Sequence, residues 1–287
     1  MFKENLFGSA SPTQGIAPLS KQFVVSGDSR SLRNTVPSSS VQCIVTSPPY
    51  WGLRSYGDPH EIGAESSLEL YLDSISEVFL QCHEALRDDG TLWVIIGDCY
   101  TSGNRKYRHP DKKHAARAMV SRPLNPPGLK NKDLIGLPWR VAFRLQADGW
   151  YLRSSVIWHK TNPMPESVLD RPHQGHEHVF LFSKSEKYYF DKGGLARANS
   201  PFDATRTVWS TSVNSGLAGH SAPFPPDLVR PCLLSSTVPG DVVFDPFAGS
   251  GTVGLACQHL NRNFFGIELV EANVRLASAR LSPLQGD

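Results

Sequence analysis

Cysteine is scarce and scattered in this chain. Its five thiols, Cys43, Cys82, Cys99, Cys232 and Cys257, are odd in number and form no Cys-x-x-Cys pair. That pattern indicates neither a disulfide framework nor a zinc knuckle, and it fits a reducing cytoplasm. No stretch approaches the roughly 18 apolar residues of a membrane span. The opening residues Met1-Phe2-Lys3-Glu4-Asn5 lack the apolar centre of a signal peptide. Strong charge is missing too: 29 Lys and Arg against 27 Asp and Glu leave a formal net charge of +2. With no global field, a nucleic-acid partner must be held by a local basic patch. No internal repeat is present. What remains is an ordinary globular composition, 40% hydrophobic and 20% charged over 287 residues. The chain is long enough for one large domain or two small ones. Its 22 prolines point to structured loops.

Short apolar runs alternate with helical patterns. Gln22-Phe23-Val24-Val25-Ser26 reads as a strand closing at Gly27-Asp28. Asp28 either serves a ligand at the sheet edge or caps the next turn. Val41-Gln42-Cys43-Ile44-Val45 reads as a buried parallel strand. Thr46-Ser47-Pro48-Pro49-Tyr50 follows it. Two prolines end the ladder and stiffen the backbone, so the strand leads into a rigid corner with a hydroxyl before it and a ring after it. Ligands of open α/β sheets bind at this carboxyl edge, and such a corner suits a flat substrate. A helix is predicted from Ser67 to Asp88-Asp89-Gly90, then a strand over Thr91–Ile96 ending at Gly97-Asp98. Residues 99–133 break the pattern with nine Lys and Arg, among them Arg105, Lys106, Lys112 and Lys113, against Asp111 and Asp133. This insertion is either disordered or a DNA-facing loop.

A helix is predicted over Leu134–Asp148, a strand over Ser154–Trp158, and a further strand over His178–Phe182. The last follows too closely for a helical crossover, so it is expected antiparallel to its neighbour. Residues 184–222 show no clear periodicity. A helix over Phe224–Leu234 is entered through Pro225-Pro226, and Cys232 within it is read as core. A strand over Asp241–Phe244 leads into Asp245-Pro246-Phe247-Ala248-Gly249-Ser250-Gly251-Thr252, then the helix Val253–Leu260 and the strand Asn263–Ile267. A last helix covers Glu271–Leu281. The two glycines let backbone approach a ligand at a helix N-terminus. No Lys follows Gly251, which excludes a Walker loop, and the third dinucleotide glycine is missing. Glu268 lies 19 positions after Gly249 at a strand end, where a carboxylate suits the hydroxyls of an adenosine ribose. Asp245 either attracts an ammonium group or caps the loop. His173, His176 and His178 lack helical metal-ligand spacing, and no metal is expected.

These motifs resemble the S-adenosylmethionine-dependent DNA amino-methyltransferases of the β arrangement, in which the catalytic motif precedes the cofactor motif. Asp245–Thr252 matches the cofactor motif and Thr46–Tyr50 the catalytic one. Ile157-Trp158-His159-Lys160-Thr161-Asn162-Pro163-Met164-Pro165 and His220-Ser221-Ala222-Pro223-Phe224-Pro225 resemble two further family segments. The resemblance covers most of residues 22–282. It implies a Rossmann-like class I methyltransferase fold: a mixed seven-stranded α/β sheet with one antiparallel strand and helices on both faces. Residues 21–287 are expected to form a single domain after a flexible arm at 1–20. Insertions at about 99–133 and 165–220 are the candidate DNA target-recognition regions.

The implied cofactor is S-adenosyl-L-methionine, held by Asp28, Thr46, the Asp245–Thr252 loop, Glu268, His220 and Phe224. The implied partner is double-stranded DNA, contacted by Arg54, Arg105, Lys106, Lys112, Lys113, Lys160, Asn162, Arg171 and Arg206. A cognate restriction endonuclease is a further partner, and the enzyme is expected as a monomer or weak homodimer. The target is an exocyclic amine on a base swung out of the duplex. The Ser47 hydroxyl and the Pro48 carbonyl accept its protons, and Tyr50 stacks on the ring. Pro49 completes the corner. Ser at the first motif position resembles enzymes that make N4-methylcytosine; Asp there is more usual for N6-methyladenine. Cytosine N4 is the preferred target, with adenine N6 the alternative. A non-catalytic nucleic-acid-binding module and a nicotinamide oxidoreductase are the rival classes. A binding titration separates the last of these: S-adenosylmethionine is expected to saturate the protein and NAD to leave it unbound.

Overall fold

The computed structural model describes residues 20–53, 61–101, 123–213 and 224–282. Among these residues eight strands form one sheet. They are β1 (Gln22–Ser26), β2 (Val41–Thr46), β3 (Leu86–Ile96), β4 (Tyr151–Lys160), β5 (His176–Ser183), β6 (Val208–Thr211), β7 (Val242–Asp245) and β8 (Asn263–Glu268). Their spatial order is β1-β8-β7-β2-β3-β5-β4-β6. β5 runs antiparallel to β3 and β4, and the other pairs are parallel. The reversed strand is therefore where the short connection from β4 placed it.

The expected count of seven strands is corrected to eight. The additional strand, β6, lies in the stretch that showed no periodicity. Four residues are too few to establish alternation in sequence. Tertiary packing fixes it instead: Trp209 is buried, stacks on Phe202 at 5.4 Å and faces Trp93 at 6.0 Å. Its indole N–H donates to the Arg206 carbonyl at 2.8 Å. Those contacts seat β6 on β4, with Trp158 opposite Trp209.

The helices are α1 (Leu68–Ala85), α2 (Leu137–Ala147), α3 (Lys192–Ala196), α4 (Pro226–Ser236), α5 (Thr252–His259) and α6 (Glu271–Leu281). α1 starts where the Ser67 side chain accepts the Leu70 N–H. Its buried positions Leu68, Tyr71, Ile75, Phe79 and Cys82 recur at helical spacing. It ends at Ala85 rather than at Gly90, because Leu86 is already extended and pairs with Val41. Asp88, Asp89 and Gly90 belong to β3, at a register shift between Val41 and Cys43. A Cβ on Gly90 would lie 2.9 Å from the Arg87 carbonyl oxygen and 3.1 Å from that of Gln42. This glycine serves a close backbone approach in an irregular strand rather than a helix stop. α2 begins three residues later than expected, since Leu134 forms an antiparallel bridge with Tyr100.

The sheet's two faces carry separate cores, as alternation along its strands requires. Ile44, Leu92, Val94, Ile96, Phe180 and Phe182 pack under α1 and α2. Cys43, Val45, Trp93, Ile95, Val179 and Leu181 pack under α4 and α5. Cys232 is fully buried in the second core, as the sequence indicated. Among the described residues no helix is long and apolar enough to cross a membrane.

α5 lies so close to β8 and α6 that a Cβ on Gly254 would stand 2.7 Å from the Phe264 ring and 2.9 Å from the Leu281 methyls. Gly254→Val is expected to lower the unfolding free energy by about 1–3 kcal/mol through overpacking. Urea denaturation with an unchanged m-value checks it.

Candidate active site at the carboxyl edge of the sheet

Parallel strands all present their carboxyl ends on one edge of the sheet, and the single reversed strand begins there. Thr46, Ile96, Lys160, Asp245 and Glu268 end their strands on this edge, and His176 starts β5 beside them. The motifs that are distant in sequence therefore converge.

The glycine loop joins β7 to α5. Gly249 and Gly251 adopt φ of 51° and 79°, the left-handed region that favours glycine. Glu268 braces the loop across the edge. Its Oε2 accepts the Gly249 N–H at 2.9 Å, and its Oε1 accepts Val270 N–H at 2.8 Å and Asn273 Nδ2 at 3.2 Å. These three bonds occupy most of the roughly four acceptor sites of a carboxylate, leaving room for one further donor. Arg280 of α6 donates to the Ser250 side chain at 2.8 Å and to its carbonyl. The loop is thus pre-shaped by its own protein partners. It opens a helix N-terminus beside a carboxylate, a donor set that fits an adenosine-bearing ligand.

Asp245 is buried and caps this loop. Its Oδ1 accepts the Phe247 N–H at 2.9 Å and the Thr46 hydroxyl at 2.6 Å. Burial pushes its carboxyl up to about 7, against the pull of those two hydrogen bonds. Asp28 also caps: it accepts the Arg30 N–H at 2.9 Å and pairs with the Arg30 guanidinium at 2.7 Å. Both acids thus cap their turns. Phe224 lies just before α4 and packs against the second core. His220 lies outside the described residues.

The Ser47–Tyr50 corner leaves β2 next to this loop. Pro48 is buried, and the Tyr71 hydroxyl of α1 donates to the Pro49 carbonyl at 2.8 Å. Tyr50 donates its hydroxyl proton to Glu177 Oε2 at 2.9 Å. Its oxygen lies 3.4 Å from Ser47 Oγ. Burial, then the neighbouring Glu177 charge, hold the phenol well above its ordinary range, so it stays protonated. Beside the corner lies a cavity of about 300 Å³ whose walls include Trp51, Asp98, Tyr100, Leu124, Glu166 and Arg171. Asp98 accepts the N–H groups of Cys99 at 2.8 Å and Leu137 at 3.0 Å, and so caps α2.

Of the residues expected on DNA, Arg54, Arg105, Lys106, Lys112 and Lys113 lie outside the described residues. Lys160 turns to Glu177, with its ammonium 4.9 Å from the Trp158 ring. Asn162 exchanges two hydrogen bonds with the Val213 backbone. Arg171 stacks on Tyr100 at 3.8 Å and pairs with Glu166 at 2.7 Å. Arg206 is 80% exposed, with Asp203 at 3.6 Å. Sequence reasoning missed Glu177, Tyr71 and Asp98. The available signal for Glu177 was topological: a strand predicted antiparallel begins at the edge where its neighbours end.

Two motifs far apart in sequence thus share one edge and one hydrogen bond, Thr46 to Asp245. The chain belongs to the DNA methylase family, whose model matches residues 41–279. It is 55% identical over 257 residues to the type II methyltransferase M.Cfr9I of Citrobacter freundii, covering 89% of this chain and 86% of the relative. It is 48% identical to M.SmaI of Serratia marcescens, covering 90% of each. Among solved structures, the PvuII DNA methyltransferase (cytosine-N4-specific) superposes with a TM-score of 0.69 at 20% identity, over 93% of this chain and 89% of that one. A DNA modification methylase from Thermus thermophilus, complexed with S-adenosyl-L-methionine, matches at TM-score 0.61 and 24% identity, over 92% and 93%.

Asp245 yields a pH prediction. Its folded-state pKa of about 7 lies above the ordinary carboxylate value, so between about pH 4 and 7 the folded protein keeps a proton that the unfolded chain releases. Stability falls as pH rises through that window. Unfolding free energies of the wild type, referred to Asp245→Asn, are expected to decline with a slope of up to about 1.4 kcal/mol per pH unit.

Proposed function

We propose that this protein methylates the exocyclic N4 amine of a cytosine in double-stranded DNA, as the protective enzyme of a restriction–modification system. The observation that carries this reading is Ser47 at the head of the Pro-Pro-Tyr corner, one residue after the Thr46 that bonds to the glycine-loop acid Asp245. Asp at that position would favour adenine N6. The name of the PvuII neighbour specifies cytosine N4, and the closely similar relatives are named type II methyltransferases.

S-adenosylmethionine supplies an electrophilic methyl group; everything else falls to the chain. Glu268 has an acceptor site left for a ribose hydroxyl, and the loop through Gly249 and Gly251 gives backbone access to the remainder. The amine of cytosine is a poor nucleophile because its lone pair is delocalised into the ring. Ser47 Oγ and the Pro48 carbonyl accept its two hydrogens and draw it toward a pyramidal nitrogen. Tyr50 stacks on the extruded base. Ser47 is too weak a base to remove a proton first, so the proton leaves after transfer has made the nitrogen acidic. Alignment and exclusion of water supply the rate. Target reading is assigned to the walls of the cavity beside the corner and to the basic stretch at 99–133, where Arg and Lys meet phosphates and polar side chains meet base edges.

Ser47→Ala and Tyr50→Ala are expected to reduce methyl transfer by roughly 100-fold or more, the loss expected from a misaligned reacting group. Binding of S-adenosylmethionine should persist in both. Nucleoside analysis of DNA methylated with labelled cofactor is expected to show N4-methylcytosine. Product containing N6-methyladenine alone refutes the cytosine assignment.

A further inference from the structure

We propose that Glu177, held by Lys160, is a positioning residue that fixes the direction of the Tyr50 hydroxyl and thereby presents Ser47 to the substrate amine as an acceptor. The inference deepens the reading of Ser47 and Tyr50 given above and rests on it.

The argument is one of hydrogen-bond direction. A phenol has one proton, and an ionised carboxylate only accepts. Tyr50 therefore commits its proton to Glu177 Oε2 at 2.9 Å. Ser47 Oγ stands 3.4 Å from the same phenolic oxygen, so across that gap only Ser47 can donate. With its proton turned toward Tyr50, Ser47 shows its lone pairs elsewhere, which is what an amine with two N–H donors needs. If Tyr50 instead donated to Ser47, the serine proton would be free to point at the amine nitrogen and engage the lone pair that must attack the methyl group. Glu177 decides between these states.

Three further features hold Glu177 in this role. Lys160 donates to its other oxygen, and side-chain exposures of 15% for Glu177 and 20% for Lys160 leave the pair only partly in contact with bulk water. Lys160 is itself fixed over the Trp158 ring, and Trp158 is the β4 residue that faces Glu177 across the ladder. Gly97, at the end of β3, leaves the space in which the two side chains meet. A Cβ there would stand 3.0 Å from both Tyr50 Cε2 and Glu177 Cγ. The ends of β2, β3 and β4 and the start of β5 thus converge on one carboxylate. Lys160 thus serves this centre.

The test uses the full chain, unmethylated bacteriophage DNA and labelled S-adenosylmethionine. Glu177→Leu is expected to slow single-turnover methylation by roughly 30-fold or more, as for a misoriented reacting group. Dissociation constants for cofactor and DNA should move no more than about 3-fold. Glu177→Gln keeps an acceptor for Tyr50 and is expected to recover most of the lost rate. Because Glu177→Leu strands the Lys160 charge, Lys160→Met/Glu177→Leu is measured beside it and should show the same slow transfer in a stably folded protein. Tyr50→Phe should be slow alone and add little in the Glu177→Leu background, as expected of residues acting as one unit. A folded Lys160→Met/Glu177→Leu protein with wild-type transfer rate overturns the proposal. So does a loss that appears equally as weakened cofactor and DNA binding, or a Gln variant no faster than Leu. Ser47→Ala in the same assay separates the two levels. If it too is unimpaired, the active-site reading itself fails; if it is inactive while Glu177→Leu is not, only the role of Glu177 falls.

Discussion

One hydrogen bond joins the two halves of this site: the Thr46 hydroxyl to the Asp245 carboxyl, 2.6 Å, at a depth where neither group meets water. Inside a sheet such a bond is strong, and leaving either partner unmet is expensive. Asp245 also takes the Phe247 N–H, so the same carboxyl that ties β7 to β2 shapes the glycine loop. The position of the loop relative to the Pro-Pro corner is therefore set by the core of the sheet and not by surface contacts. Group transfer depends on alignment to within a fraction of an ångström. An anchor at the bottom of both loops is a sound place to secure it.

The reversed strand has a comparable importance. A wholly parallel sheet would offer only strand endings along this edge. β5 offers a beginning, and Glu177 arrives with it, facing Tyr50 and Lys160 from the opposite chain direction. The expense of carrying an ion pair into a half-buried position is consistent with a use beyond stability, since apolar residues of similar size would pack the same space without it.

Much of this was legible in the sequence, and the limits are physical. The strand before Thr46 and the glycine loop before α5 announce themselves through apolar runs ending in stiff or permissive residues. The 19-residue step from Gly249 to Glu268 marked the acid as a ligand group at a strand end; that it also braces the loop, accepting the Gly249 N–H at 2.9 Å, was not legible. The end of α1 was misplaced because Asp-Asp-Gly is a helix-stop signal, and only the long-range pairing of Leu86 with Val41 reveals a strand there. β6 escaped because its four residues owe their conformation to Trp93 and Phe202, which sequence proximity does not bring near. Glu177 was passed over because an acid in a run of histidines has no periodic signature; its meaning comes from the residues across the edge.

The bridge between Tyr100 and Leu134, with the Thr101 N–H on the Asp133 carbonyl at 3.0 Å, closes the base of the stretch between them. A chain segment whose ends are already tied can change length cheaply, since each doubling adds only about 0.6 kcal/mol of closure entropy. Insertions, deletions and charge changes above this clasp need not be transmitted to β3 or α2. The clasp therefore separates β3 and α2, which carry side chains of the site, from the length and composition of the chain between its two ends. Sequence change there can accumulate without first being compensated in the core.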